Sequence, residues 1–255
     1  AMPLFPDAVE VFAPYIMALG VIGIIYGAFL ALAQTNMKRL VAYSSVSHMG
    51  YIMLGIFALN EAGAVGGVYQ MVAHGLTTGG LFLMVGMLYE RRHTLEIGDY
   101  GGIARIMPRH ATALMVVVLG SAALPGLCGF VGEFLVLLGA AKVSWWWAAL
   151  GGLGIIFGAA YLLVLYKGLM FGPVTSRRNQ DLKDLTLRER IVIVPVLLLI
   201  LVLGLIPGPV IRCVQPATAR VLDRVVNRAV VAVPTQAKAD IPETKTVNPD
   251  SRKED

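Results

Sequence analysis

Long uninterrupted apolar runs are the feature that most limits what this chain can fold into. Six such runs lie at about 11–33, 40–59, 64–89, 111–141, 145–169 and 191–211. Each reaches the length of roughly 20 apolar residues that a helix needs to cross a bilayer. Charged residues make up only 15% of the chain, whereas soluble domains contain about 25%. We therefore predict an all-α, polytopic transmembrane helical bundle over residues 1–214, with about six spans.

The two ends of the chain differ from this apolar body. The first run lacks the charged n-region and cleavage site of a signal peptide, so we interpret it as a span. The chain begins with Ala1, followed closely by Pro3 and Pro6, and we expect it to be a fragment of a longer protein. Residues 215–233 form a short amphipathic or mixed segment. Residues 234–255 are polar, and we expect this tail to be disordered.

Basic residues gather in the loops on one side of the predicted bundle. Twelve of them follow the first, third and fifth spans: Lys38, Arg39, Arg91, Arg92, Arg105, Arg109, Lys167, Arg177, Arg178, Lys183, Arg188 and Arg190. The opposite short loops contain only Lys142, so the positive-inside rule places the basic loops in the cytoplasm. Four arginines after the sixth span go against this trend, but late segments influence orientation less.

The fourth run is too long for one straight crossing and carries helix-breaking residues in its middle. Pro125 removes a backbone donor, and Gly126 and Gly129 add flexibility. We therefore predict a helix that is broken at about 124–129. Irregular backbone at this depth is tolerated only inside the protein or beside a water-filled cavity. Transporters use such half-helix ends as ion sites.

Glu133, next to the predicted break, is the only acidic residue well inside an apolar run. A charge at the bilayer centre costs roughly 2.5–3.5 kcal/mol on insertion scales, and burial favours the neutral form of a carboxyl group. We interpret Glu133 as a proton-loading group. The alternative is a neutral or paired glutamate that only holds helices together.

Two histidines lie at matching depths in the second and third runs. His48 follows Arg39 by nine residues, which places it roughly 13 Å into the membrane at 1.5 Å per residue. His74 lies ten residues into the third run. Hydroxyl residues stand near both: Ser44, Ser45, Ser47, Thr77 and Thr78. This pattern predicts a proton relay, although a membrane histidine can also serve only in helix packing.

Other polar and small residues have simpler interpretations. We interpret His93 and His110 as surface residues of a cytoplasmic loop. Lys38, Lys142 and Lys167 are interpreted as charges at the membrane interface. Four glycine pairs at four-residue spacing favour close helix contacts, although any single pair also fits the ordinary glycine frequency of membrane helices. These pairs are Gly23/Gly27, Gly63/Gly67, Gly75/Gly79 and Gly154/Gly158.

Several function classes lack their sequence motifs. The two cysteines, Cys128 and Cys213, are far apart and have no zinc-like His spacing, so the chain cannot ligate a structural zinc or an iron–sulfur cluster by itself. A P-loop and a dinucleotide-binding glycine motif after a strand are both absent from the sequence. We therefore expect no cofactor and no metal in this chain.

Three stretches resemble one family of membrane proteins. They read IGIIYGAFLALAQTNMKRLVAYSSVSHMGY (22–51), YQMVAHGLTTGGLFLMVGMLYERRHT (69–94) and LPGLCGFVGEFLVLLG (124–139). They are similar to the antiporter-like proton-channel subunits of respiratory NADH:quinone oxidoreductase (complex I), in particular subunit M, called chain 4 in mitochondria. The similarity covers about 3–172, weakens after that and is absent in the tail.

The resemblance implies roles for three residues of this chain. The central histidine of the family falls on His48 in SVSHMGY, and its next relay histidine falls on His74 in MVAHGLT. The terminal carboxylate near the proton exit falls on Glu133 in FVGEF. The family consists of two inverted helical repeats, of which this chain corresponds to the C-terminal half. A glutamate and two lysines of the earlier helices are missing, so the isolated chain is not expected to pump.

The resemblance also implies partners and a location. NADH, FMN, iron–sulfur clusters and quinone are expected on partner subunits, and the other antiporter-like subunits are expected beside this chain in a bacterial inner membrane. Two related functions stay open, namely a subunit of a multi-subunit sodium/proton antiporter and a subunit of a membrane-bound hydrogenase. A helical scaffold whose polar residues only pack is the remaining alternative.

Overall fold

Helices dominate the computed structural model, which describes residues 2, 4–174 and 176–227. Within these ranges the only extended pairing is an isolated antiparallel bridge between Asn36 and Glu96. The prediction of an all-α polytopic bundle is confirmed. The α-helices are α1 (Pro6–Leu32), α2 (Met37–Phe57), α3 (Glu61–Arg92), α4 (Ile103–Ile106), α5 (Pro108–Ser121), α6 (Cys128–Val143), α7 (Trp145–Met170), α8 (Arg177–Gln180), α9 (Leu187–Leu205) and α10 (Gly208–Leu222).

Four described helices, α1, α2, α3 and α7, are each long and apolar enough to cross a membrane. The bent pair of α9 and α10 adds a fifth crossing if the two are counted as one span. The fourth predicted span is divided between α5 and α6, which contain 14 and 16 residues. Neither is long enough to cross alone, since a span needs roughly 20 residues. The total of six spans and the membrane boundaries stay predictions.

The break in the fourth apolar run lies slightly earlier than the sequence predicts. α5 ends at Ser121 and α6 begins at Cys128, so the non-helical stretch is 122–127 and not 124–129. Pro125 lies at its centre. Proline cannot donate to a preceding carbonyl, and its ring disfavours helical backbone in the residue before it. The helix therefore stops before the proline and resumes only after it.

Two residues with left-handed backbone turn the chain inside the break. They are Ala123, with φ of 55°, and Gly126, with φ of 92°. Gly129 was predicted to belong to the break, but it is helical. A Cβ atom on Gly129 would lie 2.2 Å from the carbonyl oxygen of Gly120. Its role is therefore the close approach of the two half-helices and not flexibility.

The end of the predicted sixth span, 191–211, is bent. α9 ends at Leu205, and the axis of α10 differs from that of α9 by 72°. Ile206 has φ of −127° and ψ of 68°, outside the helical region, because Pro207 follows it. The helix of the last predicted span therefore stops six residues before residue 211.

Glycine allows close helix contact at some of the predicted pairs and not at others. A Cβ atom on Gly27 would lie 2.7 Å from a backbone nitrogen of α2, and one on Gly63 would lie 2.5 Å from a backbone oxygen of α2. Among the described residues, nothing lies within 4 Å of a Cβ atom placed on Gly75 or Gly79. The pattern therefore marks packing faces on α1 and at the start of α3, but not in the middle of α3.

A group of polar residues, the basic-side clamp, ties three helices together. It consists of Arg91, Asp184, Thr186 and Glu189. Nη1 and Nη2 of Arg91 donate to Oε1 and Oε2 of Glu189, each at 2.6 Å. Thr186 and Glu189 form a capping box at the start of α9. Asp184 accepts from two backbone N–H groups in the first turn of α5, at 3.0 and 3.1 Å. The ends of α3, α5 and α9 are therefore fixed relative to one another.

The two loop histidines have different environments. His93 is exposed, as predicted. The prediction that His110 is a surface residue is wrong: it is 0% exposed, and its Nε2 lies 3.1 Å from the carbonyl oxygen of Met84. His110 is buried because α5 already begins at Pro108 and its first turn packs against α3. The lysines interpreted as interface charges, Lys38, Lys142 and Lys167, are exposed.

The C-terminal predictions can be compared with the structure only in part. The predicted mixed segment, 215–233, begins inside α10 and continues as a π-helical turn over Asp223–Asn227. The rest of that segment and the predicted disordered tail, 234–255, lie outside the described residues.

Candidate functional site

The three side chains that the sequence predicts as a relay meet where α2, α3 and α6 pack together. Nδ1 of His48 lies 3.1 Å from Oε1 of Glu133. The ring centroids of His48 and His74 are 5.2 Å apart, with their planes inclined by 39°. His48 therefore occupies the middle position and touches both of the other residues.

Glycines on α3 and α6 let these two helices pack closely, which keeps the three side chains together. Glu133 lies in the second turn of α6, just after the break. A Cβ atom on Gly66 would lie 2.6 Å from a backbone nitrogen of α6, and one on Gly139 would lie 2.4 Å from a backbone atom of α3. These contacts bring the axes of α3 and α6 together, so the glutamate is enclosed. His48 is 4% exposed and Glu133 is 3% exposed, while His74 is half-buried.

Gln70 belongs to the same cluster and was not predicted. Its Nε2 donates to Oε1 of Glu133 at 3.3 Å, and the residue is 2% exposed. Gln70 precedes His74 by four residues in α3, and residues four apart share one face of a helix. This spacing is a signal in the sequence that could have identified it.

Two hydroxyl groups complete the surroundings of His48. Oγ of Ser121 and the phenolic oxygen of Tyr161 each lie 3.3 Å from Nε2 of His48. Ser121 is the last residue of α5, and Tyr161 is fully buried in α7. A hydroxyl group can both donate and accept, so both can serve either tautomer of the imidazole. We call these six residues, His48, Gln70, His74, Ser121, Glu133 and Tyr161, the central cluster.

Most of the hydroxyl residues predicted near the histidines bond to backbone. Oγ of Ser44 donates to the carbonyl oxygen of Val41 at 2.7 Å, and Oγ of Ser47 donates to that of Ile24 at 2.9 Å. The exception is Thr78, whose Oγ1 lies 3.1 Å from Nδ1 of His74. On α2, Ser47 therefore links the helix to α1, whereas Ser44 bonds to the backbone of its own helix.

The geometry of the central cluster suits proton movement. A distance of 3.1 Å between a ring nitrogen and a carboxylate oxygen is a hydrogen bond, so one proton can belong to either group. An unpaired charge here would be costly because little water solvates it. Among the described residues, the gap beside His48, Glu133 and Tyr161 is too narrow to hold a water molecule. The cluster therefore consists of titratable groups in direct contact with one another.

The described part of the chain shows no group of three or more His, Cys, Asp or Glu side chains that could hold a metal ion. Cys128 is buried, Cys213 is exposed, and both are free thiols. The polar groups of the central cluster are two imidazoles, a carboxyl and two hydroxyls, which can pass a proton along hydrogen bonds, and one amide, which can only donate and accept hydrogen bonds.

Known proteins share the sequence and fold of this chain. A protein from Rickettsia bellii called NADH-quinone oxidoreductase subunit M is 49% identical over 211 residues, which are 83% of this chain and 43% of the relative. A chain of respiratory complex I from Thermus thermophilus with bound NADH superposes with a TM-score of 0.84 and 39% identity, covering 88% of this chain and 47% of that one. The resemblance to subunit M is confirmed, and the chain spans less than half the length of these relatives.

A more distant protein shares the fold alone. A chain of the Mrp complex from Dietzia sp. superposes with a TM-score of 0.75 at 19% identity, covering 91% of this chain and 53% of that one. The profile of the family described as NADH:quinone oxidoreductase/Mrp antiporter, TM, matches residues 1–158, a range that includes His48, His74 and Glu133. This chain therefore belongs to the NADH:quinone oxidoreductase/Mrp antiporter transmembrane family.

Proposed function

We propose that this chain forms the outward-releasing half of the proton path in a proton-translocating membrane subunit of a bacterial NADH:quinone oxidoreductase. The observation that carries the proposal is the contact between His48 and Glu133, with His74 against the same imidazole ring. Three titratable groups in line, enclosed by apolar helices, form a relay in which each group can pass a proton to the next.

The proposed transfer uses both ring nitrogens of His48. A proton binds at Nε2, on the side of Ser121 and Tyr161, while the proton on Nδ1 passes to Oε1 of Glu133. The imidazole gains one proton and loses one, so its charge is unchanged at the end of the step. Glu133 becomes neutral and later releases its proton towards the outside, opposite the basic loops. A turn of the His48 ring or a tautomer change then restores the starting state.

The energy for this cycle comes from outside the chain in this proposal. NADH oxidation and quinone reduction, together with the FMN and the iron–sulfur clusters, belong to partner subunits. Other antiporter-like subunits lie beside this chain in the bacterial inner membrane. The 49% identity to a protein called NADH-quinone oxidoreductase subunit M favours this assignment over a sodium/proton antiporter, because identity to the Mrp complex chain is only 19%.

The decisive experiment replaces Glu133 by Gln in the full-length subunit of the assembled complex. NADH-driven proton uptake into inside-out membrane vesicles is expected to fall by about a hundredfold or more, because a proton-transfer group contributes at least this factor. Assembly is checked by native gel and by electron transfer from NADH to an artificial acceptor. Unimpaired proton uptake in an assembled complex would leave only the scaffold function.

A matched control removes a hydrogen-bonded hydroxyl group from a similarly buried residue outside the central cluster. Tyr69 is 1% exposed, and its hydroxyl donates to the carbonyl oxygen of Leu203 at 2.6 Å, away from Glu133. Tyr69→Phe is expected to leave proton uptake close to that of the unaltered complex. A similar loss in both variants would show that disturbed packing, and not a missing proton carrier, explains the effect of Glu133→Gln.

A further inference from the structure

The Gln70 amide is only half satisfied in the structure. Its Nε2 donates to Glu133, but its Oε1 is buried and has no hydrogen-bond partner among the described residues. A buried polar atom without a partner costs roughly 1–3 kcal/mol, so native proteins rarely keep one without a reason.

The unpartnered oxygen lies against the backbone of α6. A Cβ atom on Gly132 would be 2.3 Å from Oε1 of Gln70 and 2.9 Å from its Cα. Only glycine leaves room for the amide at this point. Gly132 directly precedes Glu133 in the chain, so the space for the amide and the carboxyl group that it contacts belong to the same helical turn.

An amide can match a carboxyl group in both of its protonation states. The carboxylate only accepts hydrogen bonds, and the –NH₂ group of Gln70 supplies one. The protonated acid carries an O–H donor, and the amide oxygen is then the acceptor that it needs. The last side-chain torsion of glutamine is broad and roughly two-fold, so a half-turn of the amide exchanges its nitrogen for its oxygen.

We propose that Gln70 is a positioning residue that stabilises Glu133 in both its charged and its neutral state by turning its amide as the proton arrives and leaves. This inference rests on the proposed function, since it requires Glu133 to change its protonation state. The amide carries no proton itself. It lowers the difference in free energy between the two states and holds the carboxyl group within reach of His48.

Two substitutions at Gln70 test this in the full-length complex. Gln70→Met keeps the length of the side chain but removes both hydrogen-bonding functions, and NADH-driven proton uptake is expected to fall roughly tenfold, the effect of losing one hydrogen bond to a charged group. Gln70→Glu supplies a donor and an acceptor only while the new carboxyl group is protonated. Its proton uptake is therefore expected to approach that of the unaltered complex at acidic pH and to fall as the pH rises.

The pH profile must be interpreted with the other titratable groups around this pair. They are His48 and Tyr51 from α2, His74 from α3 and Tyr161 from α7. All are unchanged in both variants, so the profile of the unaltered complex provides the reference. A second measurement is infrared difference spectroscopy of the C=O band of protonated Glu133, identified by its loss in Glu133→Gln. Gln70→Met is expected to shift this band to higher frequency, because its hydrogen bond is lost.

The outcomes separate this inference from the proposed function. If Glu133→Gln still takes up protons normally, the proposed function fails, and this inference fails with it. If Glu133→Gln is inactive but Gln70→Met keeps both the proton uptake and the infrared band of the unaltered complex, only the inference about Gln70 is overturned. The same conclusion follows if Gln70→Met and Tyr69→Phe are impaired equally and Gln70→Glu shows no recovery at acidic pH.

Discussion

Among the described residues, two glutamates pair with basic side chains, one through two short hydrogen bonds and one through a single longer contact. In the basic-side clamp, Glu189 receives two hydrogen bonds of 2.6 Å from Arg91. Further N–H donors of Arg91 reach the carbonyl oxygens of Met87 and Lys183, both at 2.8 Å. In the central cluster, His48 approaches Glu133 through one nitrogen at 3.1 Å. The contact of Gln70 with Glu133 and those of Ser121 and Tyr161 with His48 are each 3.3 Å.

The difference shows which pair can move a charge. Arginine stays protonated at all relevant pH values, so the pair of Arg91 and Glu189 is a fixed charge pair that anchors helix ends. A neutral imidazole has one N–H group and one free ring nitrogen, so His48 can take up a proton at one nitrogen and release one from the other. Strong, complete pairing suits anchoring, whereas weaker contacts between titratable groups suit transfer.

The largest expected effect tests the transfer side of this comparison. His48→Asn keeps an amide nitrogen near the place of Nδ1 but cannot carry a proton. We expect NADH-driven proton uptake to fall by about a hundredfold or more, with the complex still assembled. The matched control is the exposed residue His93, where His93→Asn should have little effect because asparagine tolerates the left-handed conformation at this position. Proton uptake by His48→Asn near the normal rate would contradict the distinction.

The next effect tests the anchoring side. Arg91→Met leaves Glu189 without its partner in a partly buried pair, and losing hydrogen bonds to a charged group costs about 1.5–3 kcal/mol. Hydrogen–deuterium exchange of the 181–190 segment is expected to become faster by roughly tenfold or more, since each 1.4 kcal/mol is a factor of about ten. The exposed residue Arg178 provides the control, Arg178→Met. Unchanged exchange in Arg91→Met would show that the clamp does not anchor α9.

The sequence predicted three polar residues that the structure brings together, because their positions are unusual for a membrane span. His48, His74 and Glu133 are polar residues deep in apolar runs, and polar residues are costly there. The break was predicted to within two residues because the effect of Pro125 on a helix is local. Gln70 could also have been predicted from the sequence, since it precedes His74 by one helical turn.

The positions of Tyr161 and His110 could not be predicted, because they depend on contacts with residues that are distant in the sequence. Tyr161 reaches His48 from a helix more than a hundred residues away in the chain, and nothing near Tyr161 in the sequence indicates it. His110 was predicted on the surface because it was assigned to the cytoplasmic loop between the third and fourth spans. Its burial depends on α5 packing against α3 and on the loop that contains Asp184. Long-range packing decides both.

A smaller effect tests how closely the central cluster depends on packing. Gly132→Ala places a methyl group against Gln70, and overpacking of this kind costs about 1–3 kcal/mol. We expect lower proton uptake together with a lower thermal stability of the purified complex. Gly79→Ala is the control on α3, because nothing described lies within 4 Å of its new Cβ atom. If both variants behave alike, the contact between Gly132 and Gln70 has no special importance.

The smallest expected effect concerns the start of α5. Asp184→Ala removes the acceptor for the backbone N–H groups of Arg109 and His110, and loss of such a cap costs about 1 kcal/mol. Hydrogen–deuterium exchange of the first turns of α5 is expected to become roughly fivefold faster at pH 7, while proton uptake by assembled complexes stays unchanged. Exchange that does not change would show that α5 starts equally well without this cap.

The pH dependence of that effect identifies its cause. Burial raises the pKa of the Asp184 carboxyl group, but hydrogen bonds from the backbone N–H groups of Arg109, Leu185 and His110 outweigh it, and the pKa is lower than its ordinary value. A lowered pKa in the folded state means that the stabilisation is fully present above the unfolded pKa of about 3.9 and is lost as the pH falls through the folded value. The difference in exchange between the unaltered protein and Asp184→Ala, compared at equal pH, should therefore be complete at pH 7 and begin to shrink below about pH 4. If the difference instead stayed constant down to the acid range, the carboxylate charge would have no part in holding α5, and the clamp would act only through Arg91.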